Sequence, residues 1–295
     1  MPSPTVFRSA RAILGESLVA DAASDAPAML WCDITAGLLH RSPLDGAADG
    51  SDDGVIALPA PVASFHLADL DGARGYVVSL GDRVVLVDAA GDIVRQLAAI
   101  DHAHDGLRLN EGKVDPAGRW VTGSMDLTRG EPDGAFYSVT AEGARVIAGG
   151  IGTANGLEWS PDGTRIYYTD TSTQTIYTGA YSADGDISGV EVFHTGEMHD
   201  GLAMDAEGCL WGAVYGGGVV VRYDGAGTEL ERHEFPAPNL TSVAFGGGDS
   251  ATLYVASARE NLTEGQLQRH PLSGSVFALQ TGTSGRAARV FVSRG

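Results

Sequence analysis

Residues 166–181 read IYYTDTSTQTIYTGAY, and this stretch shows the unit from which the chain is built. An aromatic residue opens a short β-rich run, a tight turn follows, and a second β-rich run returns. The same unit recurs at five other places: MLWCDITAGLLHR (29–41), GYVVSLGDRVVLVD (75–88), RWVTGSMD (119–126), LWGAVYGGGVVVRYD (210–224) and LYVASARE (253–260). The chain is therefore a repeat of short strands joined by turns.

Six aromatic residues mark these units at intervals of 45, 44, 47, 44 and 43 residues: Trp31, Tyr76, Trp120, Tyr167, Trp211 and Tyr254. Repeats of roughly 40–50 residues with four short strands are typical of β-propeller blades. One blade cannot bury both faces of its sheet, whereas six blades around an axis can. The spacing predicts an all-β, six-bladed β-propeller that forms a single domain over residues 1–295. We expect the run Thr5–Ala10 to close the ring by pairing with strands near the C-terminus.

Charge and composition exclude several classes of function. The chain has 38 acidic and 19 basic residues and a net charge of −19, which disfavours binding to nucleic acid or to anionic membranes. No apolar run approaches the roughly 18–20 residues that cross a bilayer, and the N-terminus lacks a signal-peptide pattern. Cys32 and Cys209 form no CxxC motif, so two buried reduced thiols are expected. We therefore expect a cytoplasmic protein, either a monomer or a weak homo-oligomer.

Aligning the repeats on the turn before each aromatic residue gives a ring of polar residues. The residue five positions before the first residue of each turn is polar in all six repeats. These residues are Glu16, Ser64, Asn110, Asn155, Asp200 and Thr241. Because the first strand of each blade lines the central channel, equivalent positions on six such strands form a ring around the axis. Carboxylate and amide oxygens suit a hard divalent cation. The ring therefore predicts a metal site in the channel.

Two other groups of residues have side chains that can bind a metal. The loop 44–54 holds four aspartates but lacks the ligand spacing of an EF-hand, so a solvated surface hairpin is expected there. His102 and His104 form an H-x-H pair in the stretch that leads to Arg108. We expect this pair to belong to a loop that touches substrate or solvent.

Several motifs resemble the senescence marker protein / gluconolactonase / regucalcin family. The resemblance covers nearly the whole chain and is carried by LGES (14–17), RLNEGKVDPAGRW (108–120), NGLEWSPDG (155–163), HDGLAMDAEGCLW (199–211), PNLTSVAFGG (238–247) and LYVASARENL (253–262). The family fold is a six-bladed propeller. The resemblance implies Glu16, Asn155 and Asp200 as ligands of one divalent cation (Ca, Zn, Mn or Fe(II)). It also places Arg108 and Asn110 beside the substrate, a sugar lactone.

The sequence departs from the family pattern at three positions. Glu111 stands where an aspartate often follows the asparagine, and Thr128 aligns with a substrate-contacting glutamate of animal members. His199 replaces the usual proline before Asp200, which predicts His199 near the channel mouth and the substrate. These differences affect the expected substrate but leave the implied metal ligands intact.

The resulting hypothesis is metal-dependent hydrolysis of an aldonolactone to the aldonic acid. Asp200 is the preferred general base and Glu111 the alternative, because Glu111 would point away from the channel unless Gly112 bulges the strand. A calcium-dependent phosphotriesterase-like hydrolase and a non-enzymatic calcium-binding propeller are the competing hypotheses. The polar pair Arg108 and Asn110 favours a polyol over an apolar triester.

Overall fold

The structure is a computed structural model that describes residues 2–292. In this part of the chain almost all regular structure is β. The strands are β1 (Thr5–Arg8), β2 (Gly15–Asp21), β3 (Ala28–Asp33), β4 (Leu38–Pro43), β5 (Gly54–Ala57), β6 (Val62–Leu70), β7 (Ala73–Leu80), β8 (Arg83–Asp88), β9 (Ile93–Ala99), β10 (Leu107–Val114), β11 (Trp120–Asp126), β12 (Gly134–Thr140), β13 (Gly143–Ile151), β14 (Ala154–Trp159), β15 (Arg165–Asp170), β16 (Thr175–Tyr181), β17 (Ile187–Thr195), β18 (His199–Met204), β19 (Leu210–Val214), β20 (Val219–Tyr223), β21 (Glu229–Glu234), β22 (Leu240–Gly246), β23 (Thr252–Ser257), β24 (Val276–Gln280) and β25 (Phe291–Val292).

The strands form six sheets, which are the blades of a β-propeller, so the predicted fold class is confirmed. A 3₁₀ turn (Thr171–Thr173) and one short helix, α1 (Glu264–Arg269), complete the regular structure of residues 2–292. Thr263 and Gln266 cap α1 through reciprocal hydrogen bonds. Within the same residues no helix is long and apolar enough to cross a membrane.

The chain divides into two compact units of three blades each. The first unit contains residues 1–57 and 198–288, and its sheets run β2-β3-β4-β5, β18-β19-β20-β21 and β22-β23-β24-β1. Strand β1 pairs antiparallel with β24, for example at Thr5 and Ala278. The prediction that residues 5–10 complete the last blade is therefore confirmed.

The second unit contains residues 58–197 and 289–295. Two of its sheets run β10-β11-β12-β13 and β14-β15-β16-β17. The third runs β25-β6-β7-β8-β9, because Phe291 and Val292 pair parallel with the end of β6. Sequence analysis did not predict this fifth strand. The assignment of both units to one domain stays a prediction.

The aromatic residues that revealed the repeat are buried in their own blades. Trp120 and Trp211 are fully buried, and Tyr76, Tyr167 and Tyr254 are nearly so. Each ring packs on the apolar residues of neighbouring strands, and burying a large aromatic side chain stabilises a fold by about 1.5–3 kcal/mol. The repeat in the sequence is thus the core position of each blade.

Candidate functional site

Every first strand carries a bulge at its ring residue. The pairing of each first strand with its neighbour shifts register at Glu16/Val19, Val62/Ser64, Leu109/Gly112, Asn155/Leu157, His199/Leu202 and Leu240/Val243. The six polar residues therefore lie at or inside six equivalent irregularities. Bulges re-aim side chains and are common next to active sites. The register predicted from the sequence corresponds to this repeated backbone feature.

The first unit contributes two buried carboxylates. Glu16 lies on β2 and is 8% exposed, and Asp200 lies on β18 and is 5% exposed. The residue after Glu16, Ser17, has a φ of 53°, a left-handed conformation that is strained for a residue with a side chain. Its N–H donates to Glu16 Oε2 at 3.2 Å. The bulge on β2 thus holds a strained residue next to a buried acid.

Gly201 follows Asp200 because the backbone of β22 comes very close. A Cβ at this position would lie 2.8 Å from both Ser242 Cα and Thr241 O. Distances below 3.0 Å are not tolerated without movement of the backbone. Only glycine fits there, so the tight contact between β18 and β22 fixes the backbone next to Asp200.

The second unit contributes a chain of hydrogen-bonded donors and amides. Arg108 Nη1 donates to Asn110 Oδ1 at 2.7 Å, and Asn110 Nδ2 donates to Asn155 Oδ1 at 2.7 Å. Asn155 Nδ2 then donates to Thr171 Oγ1 at 3.0 Å. Each bond fixes which amide atom is the acceptor. The chain brings together three of the predicted site residues and orients all of them.

Glu111 follows Asn110 on a bulged strand. The register shift between Leu109 and Gly112 is the condition under which Glu111 stays a candidate base. Glu111 Oε1 accepts from the Gly112 N–H at 2.8 Å. Burial raises the pKa of the Glu111 carboxyl, while Lys113 opposes the increase and Glu158 adds to it. Glu111 therefore lies in the field of a partly buried ion pair, whose Lys113 Nζ and Glu158 Oε2 are 3.2 Å apart.

His199 lies inside its own sheet. Its side chain is 1% exposed, and its Nε2 lies 3.0 Å from the Tyr223 hydroxyl. Gly212 leaves room for the ring, because a Cβ there would be 2.6 Å from His199 Cδ2. The contact with Tyr223 holds the ring inside the sheet that carries Asp200. The substrate contact of His199 stays a prediction.

Thr128 lies on an exposed loop that Asp126 organises. The Thr128 N–H and Oγ1–H both donate to Asp126 Oδ1, at 2.9 and 3.2 Å. His104 packs against this loop, with its Nε2 3.8 Å from Asp126 Oδ1 and 3.7 Å from Asp133 Oδ2. His104 Nδ1 accepts from the Gly106 N–H at 3.0 Å. The histidine therefore joins the segment before Arg108 to the loop that carries Thr128, and substrate contact by Thr128 stays a prediction.

The predicted surface hairpin at 44–54 is held by ordinary side-chain contacts. Asp53 pairs with Arg8 at 2.8 Å, and Asp49 and Asp52 accept backbone N–H groups of the loop. These carboxylates are used to order the hairpin and to bind an arginine. The expectation of a surface hairpin rather than a calcium loop agrees with these contacts.

A separate group of possible metal ligands lies in a turn of the first unit. Asp205, Glu207 and Cys209 place their ligand atoms within 4.8 Å of one another. Arg222 already pairs with Asp205 at 2.8 Å and with Glu207 at 2.6 Å. Asp205 also accepts the N–H of Trp211 Nε1 at 3.0 Å. The arginine already occupies oxygens of both carboxylates, so this group is a less suitable cation site than the ring. Cys209 is partly exposed, contrary to expectation, because it lies in this turn.

The residues of the ring fit a divalent cation by the chemistry of their donors. In one unit Glu16 and Asp200 present two buried carboxylates, whose oxygens are the donors that a hard cation takes. In the other unit Asn155 Oδ1 has two lone pairs and uses one to accept from Asn110. The donor set is carboxylate and amide oxygen, as hard cations prefer.

The hydrogen-bonded cluster around Tyr215 was not predicted from the sequence. This tyrosine follows β19, and its hydroxyl accepts from Asn261 Nδ2 at 3.0 Å. Asn239 Nδ2 donates to the Glu260 carbonyl in the same cluster at 2.8 Å. The contacting residues are far apart in sequence, so repeat alignment could not reveal them.

The fold and the site define a class of protein, the six-bladed β-propellers with polar side chains at the bulges of their first strands. Within it, the chain belongs to the SMP-30/Gluconolactonase/LRE-like family, whose model matches residues 14–259. The resemblance recognised in the motifs is therefore confirmed.

Three similar proteins illustrate the family. A 6-deoxy-6-sulfogluconolactonase of Pseudomonas putida is 35% identical over 270 residues, which are 89% of this chain and 90% of that protein. A pentonolactonase of Haloferax volcanii is 33% identical over 275 residues, 89% of each chain. The solved structure of a calcium-binding protein, regucalcin, from Agrobacterium tumefaciens has a TM-score of 0.87 at 29% identity, covering 98% of this chain and 97% of that one.

Proposed function

We propose that the protein is a metal-dependent sugar lactonase that hydrolyses an aldonolactone to the aldonic acid. The observation that carries the proposal is that a member of this family contains two kinds of polar groups. The first unit holds the buried carboxylates Glu16 and Asp200, and the second holds the oriented chain Arg108, Asn110 and Asn155. Two relatives that match about nine tenths of the chain are named for lactone hydrolysis.

The proposed ligands of the cation are Glu16, Asn155 and Asp200. A bound divalent cation would supply Lewis-acid stabilisation of the negative charge that develops on the lactone carbonyl oxygen. The two carboxylates match its charge, and the Asn155 amide adds a neutral oxygen. The metal could be Ca, Zn, Mn or Fe(II), and the similarity to a calcium-binding regucalcin supports a divalent cation of this kind.

Arg108 and Asn110 would hold the sugar hydroxyls. The guanidinium presents several N–H donors in a plane, and its bond to Asn110 Oδ1 fixes the direction of that plane. Asn110 in turn is held by Asn155 and by the Ala154 carbonyl, at 3.1 Å. Preorganised donors of this type recognise vicinal hydroxyls without reorganising when the substrate binds.

A carboxylate would accept the proton of the attacking water. Oxygen attack on the carbonyl carbon forms the new C–O bond, the ring C–O bond then breaks, and the proton passes to the released alkoxide. Asp200 is the proposed base, with Glu111 as the alternative. The bulge removes the argument that Glu111 must point away from the channel. Its raised pKa would make it a stronger base than an ordinary glutamate.

A panel of substrates tests the proposal directly. The chelator-treated protein is supplied in turn with Ca²⁺, Mn²⁺, Zn²⁺ and Fe²⁺ and assayed on a pentonolactone, a hexonolactone and a phosphotriester. We expect hydrolysis of at least one sugar lactone that depends on added metal. Faster turnover of the triester would favour the phosphotriesterase-like hypothesis. Metal binding without turnover of any substrate would favour the non-enzymatic one. The cytoplasmic location and the monomeric or weakly oligomeric state stay predictions.

A further inference from the structure

Tyr215 lies next to the segment that carries Asp200. It follows β19 directly, and its N–H donates to the Met198 carbonyl at 2.9 Å. Met198 is two residues before Asp200, and His199 pairs with Val214 across the two strands. The tyrosine side chain is half-buried. Its backbone position is therefore fixed by the strand that presents a proposed metal ligand.

The phenol hydroxyl of Tyr215 donates a long hydrogen bond in the structure. Asn261 Nδ2 donates to it at 3.0 Å, which uses an oxygen lone pair and leaves the O–H to find an acceptor. Its own contact, with the Glu260 carbonyl, is long at 3.4 Å. That carbonyl already accepts from Asn239 Nδ2 at 2.8 Å. A hydroxyl in this state can form a better hydrogen bond with an incoming oxygen.

The Tyr215 phenol lies between the segments that lead to Glu16 and to Asp200 in the first unit. The Tyr215 N–H donates to the Met198 carbonyl, and its hydroxyl contacts the carbonyl of Glu260, whose own N–H donates to the Ile13 carbonyl. Burial raises the pKa of Tyr215, the Asn261 hydrogen bond opposes this, and the charges of Glu260, Asp200 and Glu16 raise it further. The phenol is therefore a donor in the part of the first unit that carries the proposed ligands Glu16 and Asp200.

Residues 258–261, which contact the phenol, are hydrogen-bonded to the residues just before β2 and β22. The N–H groups of Arg259 and Glu260 both donate to the Ile13 carbonyl, at 3.0 and 2.8 Å. The Ala258 N–H donates to the Asn239 carbonyl at 2.9 Å. Asn261 adopts a left-handed φ of 62°, which asparagine tolerates better than most residues. The hydroxyl is therefore preorganised rather than mobile.

We propose that Tyr215 contacts the substrate and that its O–H donates to a hydroxyl oxygen of the lactone, with Asn261 holding the phenol in place. This inference rests on the proposed function and refines it. The contact selects polyhydroxylated lactones over lactones without hydroxyl groups. A site that presents a donor to a substrate hydroxyl discriminates more strongly than an apolar pocket does, because the unsatisfied donor is costly when the hydroxyl is missing.

The test compares Tyr215→Phe with the wild type on two substrates, a hydroxylated aldonolactone and an unsubstituted lactone of the same ring size. The variant removes one oxygen and keeps the ring. We expect kcat/KM for the aldonolactone to fall about 10–100-fold, mainly through KM. The unsubstituted lactone should change by less than about threefold, since it offers no hydroxyl to lose.

Two further measurements make the result specific. Tyr254→Phe is the matched control, because that tyrosine packs against Phe7 in the same unit. It should leave both substrates unchanged. Asn261→Ala should weaken the aldonolactone reaction in the same direction as Tyr215→Phe but by less, since the phenol remains.

The outcomes separate this inference from the proposed function. Calorimetric binding of an alditol to the metal-loaded protein tests the contact without turnover, and Tyr215→Phe should weaken that binding about tenfold. Binding that weakens while the wild type hydrolyses no lactone would refute the lactonase function and keep the contact. Equal losses on both lactones, or unchanged kinetics with unchanged alditol affinity, would overturn the role of Tyr215.

Discussion

The two units of the molecule carry different kinds of side chain at equivalent bulges of their first strands. In the first unit the bulges on β2 and β18 present Glu16 and Asp200, which are anionic acceptors. In the second unit the bulges on β10 and β14 present Asn110 and Asn155, which are neutral and linked to each other. The backbone device is identical, so the chemical difference lies entirely in the side chains. The comparison teaches that a repeat can keep its backbone geometry while its copies carry side chains of different chemistry.

The difference in side chains predicts different responses to mutation, and the largest is expected at Asp200. Asp200→Asn keeps an oxygen but removes the charge and the ability to accept a proton. We expect kcat/KM to fall about 10²–10⁴-fold under saturating metal, as for loss of a general base, together with weaker cation binding. Kinetics and calorimetry with the same cation measure the two effects.

A matched control for Asp200 lies in the same sheet. Asp224 caps an exposed turn by accepting the N–H groups of Ala226 and Thr228, both at 2.9 Å. Asp224→Asn should leave metal affinity and turnover unchanged. An Asp200→Asn protein with full activity and full metal content would remove the first unit from the proposed chemistry.

Arg108, in the second unit, should affect the substrate without affecting the metal. Arg108→Ala removes donors to the sugar and the bond to Asn110. We expect kcat/KM for an aldonolactone to fall about 10–100-fold with cation affinity unchanged. Arg145→Ala is the control, because that side chain is exposed and pairs with Asp186. Loss of cation binding in the Arg108 variant would contradict a role for Arg108 that is limited to the substrate.

In the second unit, the pH dependence of protein stability tests the protonation state of Glu111. Because the raised folded pKa of Glu111 lies above that of the unfolded chain, the protein loses stability as pH rises from the unfolded value, about 4.3, through the folded one. Glu111→Gln has no such proton to lose and keeps an oxygen to accept from Gly112. We expect the variant to have the higher Tm at neutral pH, with the difference disappearing in acid.

Thermal unfolding at several pH values measures the effect of Glu111→Gln, with the exposed Glu142→Gln as control. A variant that becomes less stable than the wild type as pH rises would show that the attraction of Lys113 outweighs the cost of burial. In that case Glu111 is ionised in the folded protein, and its advantage as a base disappears.

The sequence predicted the parts of the structure that repeat. Aromatic spacing located the blades, and a fixed offset from each turn located six polar residues that the structure places at bulges, because both are properties of one blade copied along the chain. The closing strand near Thr5 was also predicted, since a last blade needs a fourth strand. Strand β25 was missed because Phe291 and Val292 form a two-residue parallel pair without an alternating pattern.

Contacts that belong to a single blade could not be predicted. His199 precedes a ring residue, and only the room left by Gly212 and the hydroxyl of Tyr223 shows that its ring is buried. Tyr215 and Asn261 meet across 46 residues of sequence, so no local pattern connects them. Family motifs identify residues that most members share, whereas these neighbours depend on side-chain packing in this chain.

The smallest effect is expected at the other acidic group of the first unit. Asp205, Glu207 and Cys209 have the residue types of a metal site, but Arg222 lies between the two carboxylates and pairs with both. A cation would have to displace this guanidinium, whose positive charge already offsets part of their negative charge. Glu207→Gln combined with Cys209→Ser should therefore leave metal content and kcat/KM within about twofold of the wild type, and stability within about 1 kcal/mol, since Glu207 is largely exposed. Elemental analysis of the purified variant checks the prediction. If the double variant loses its metal while Asp200→Asn keeps it, the cation binds in the Asp205 turn. The buried carboxylates Glu16 and Asp200 are then not its ligands.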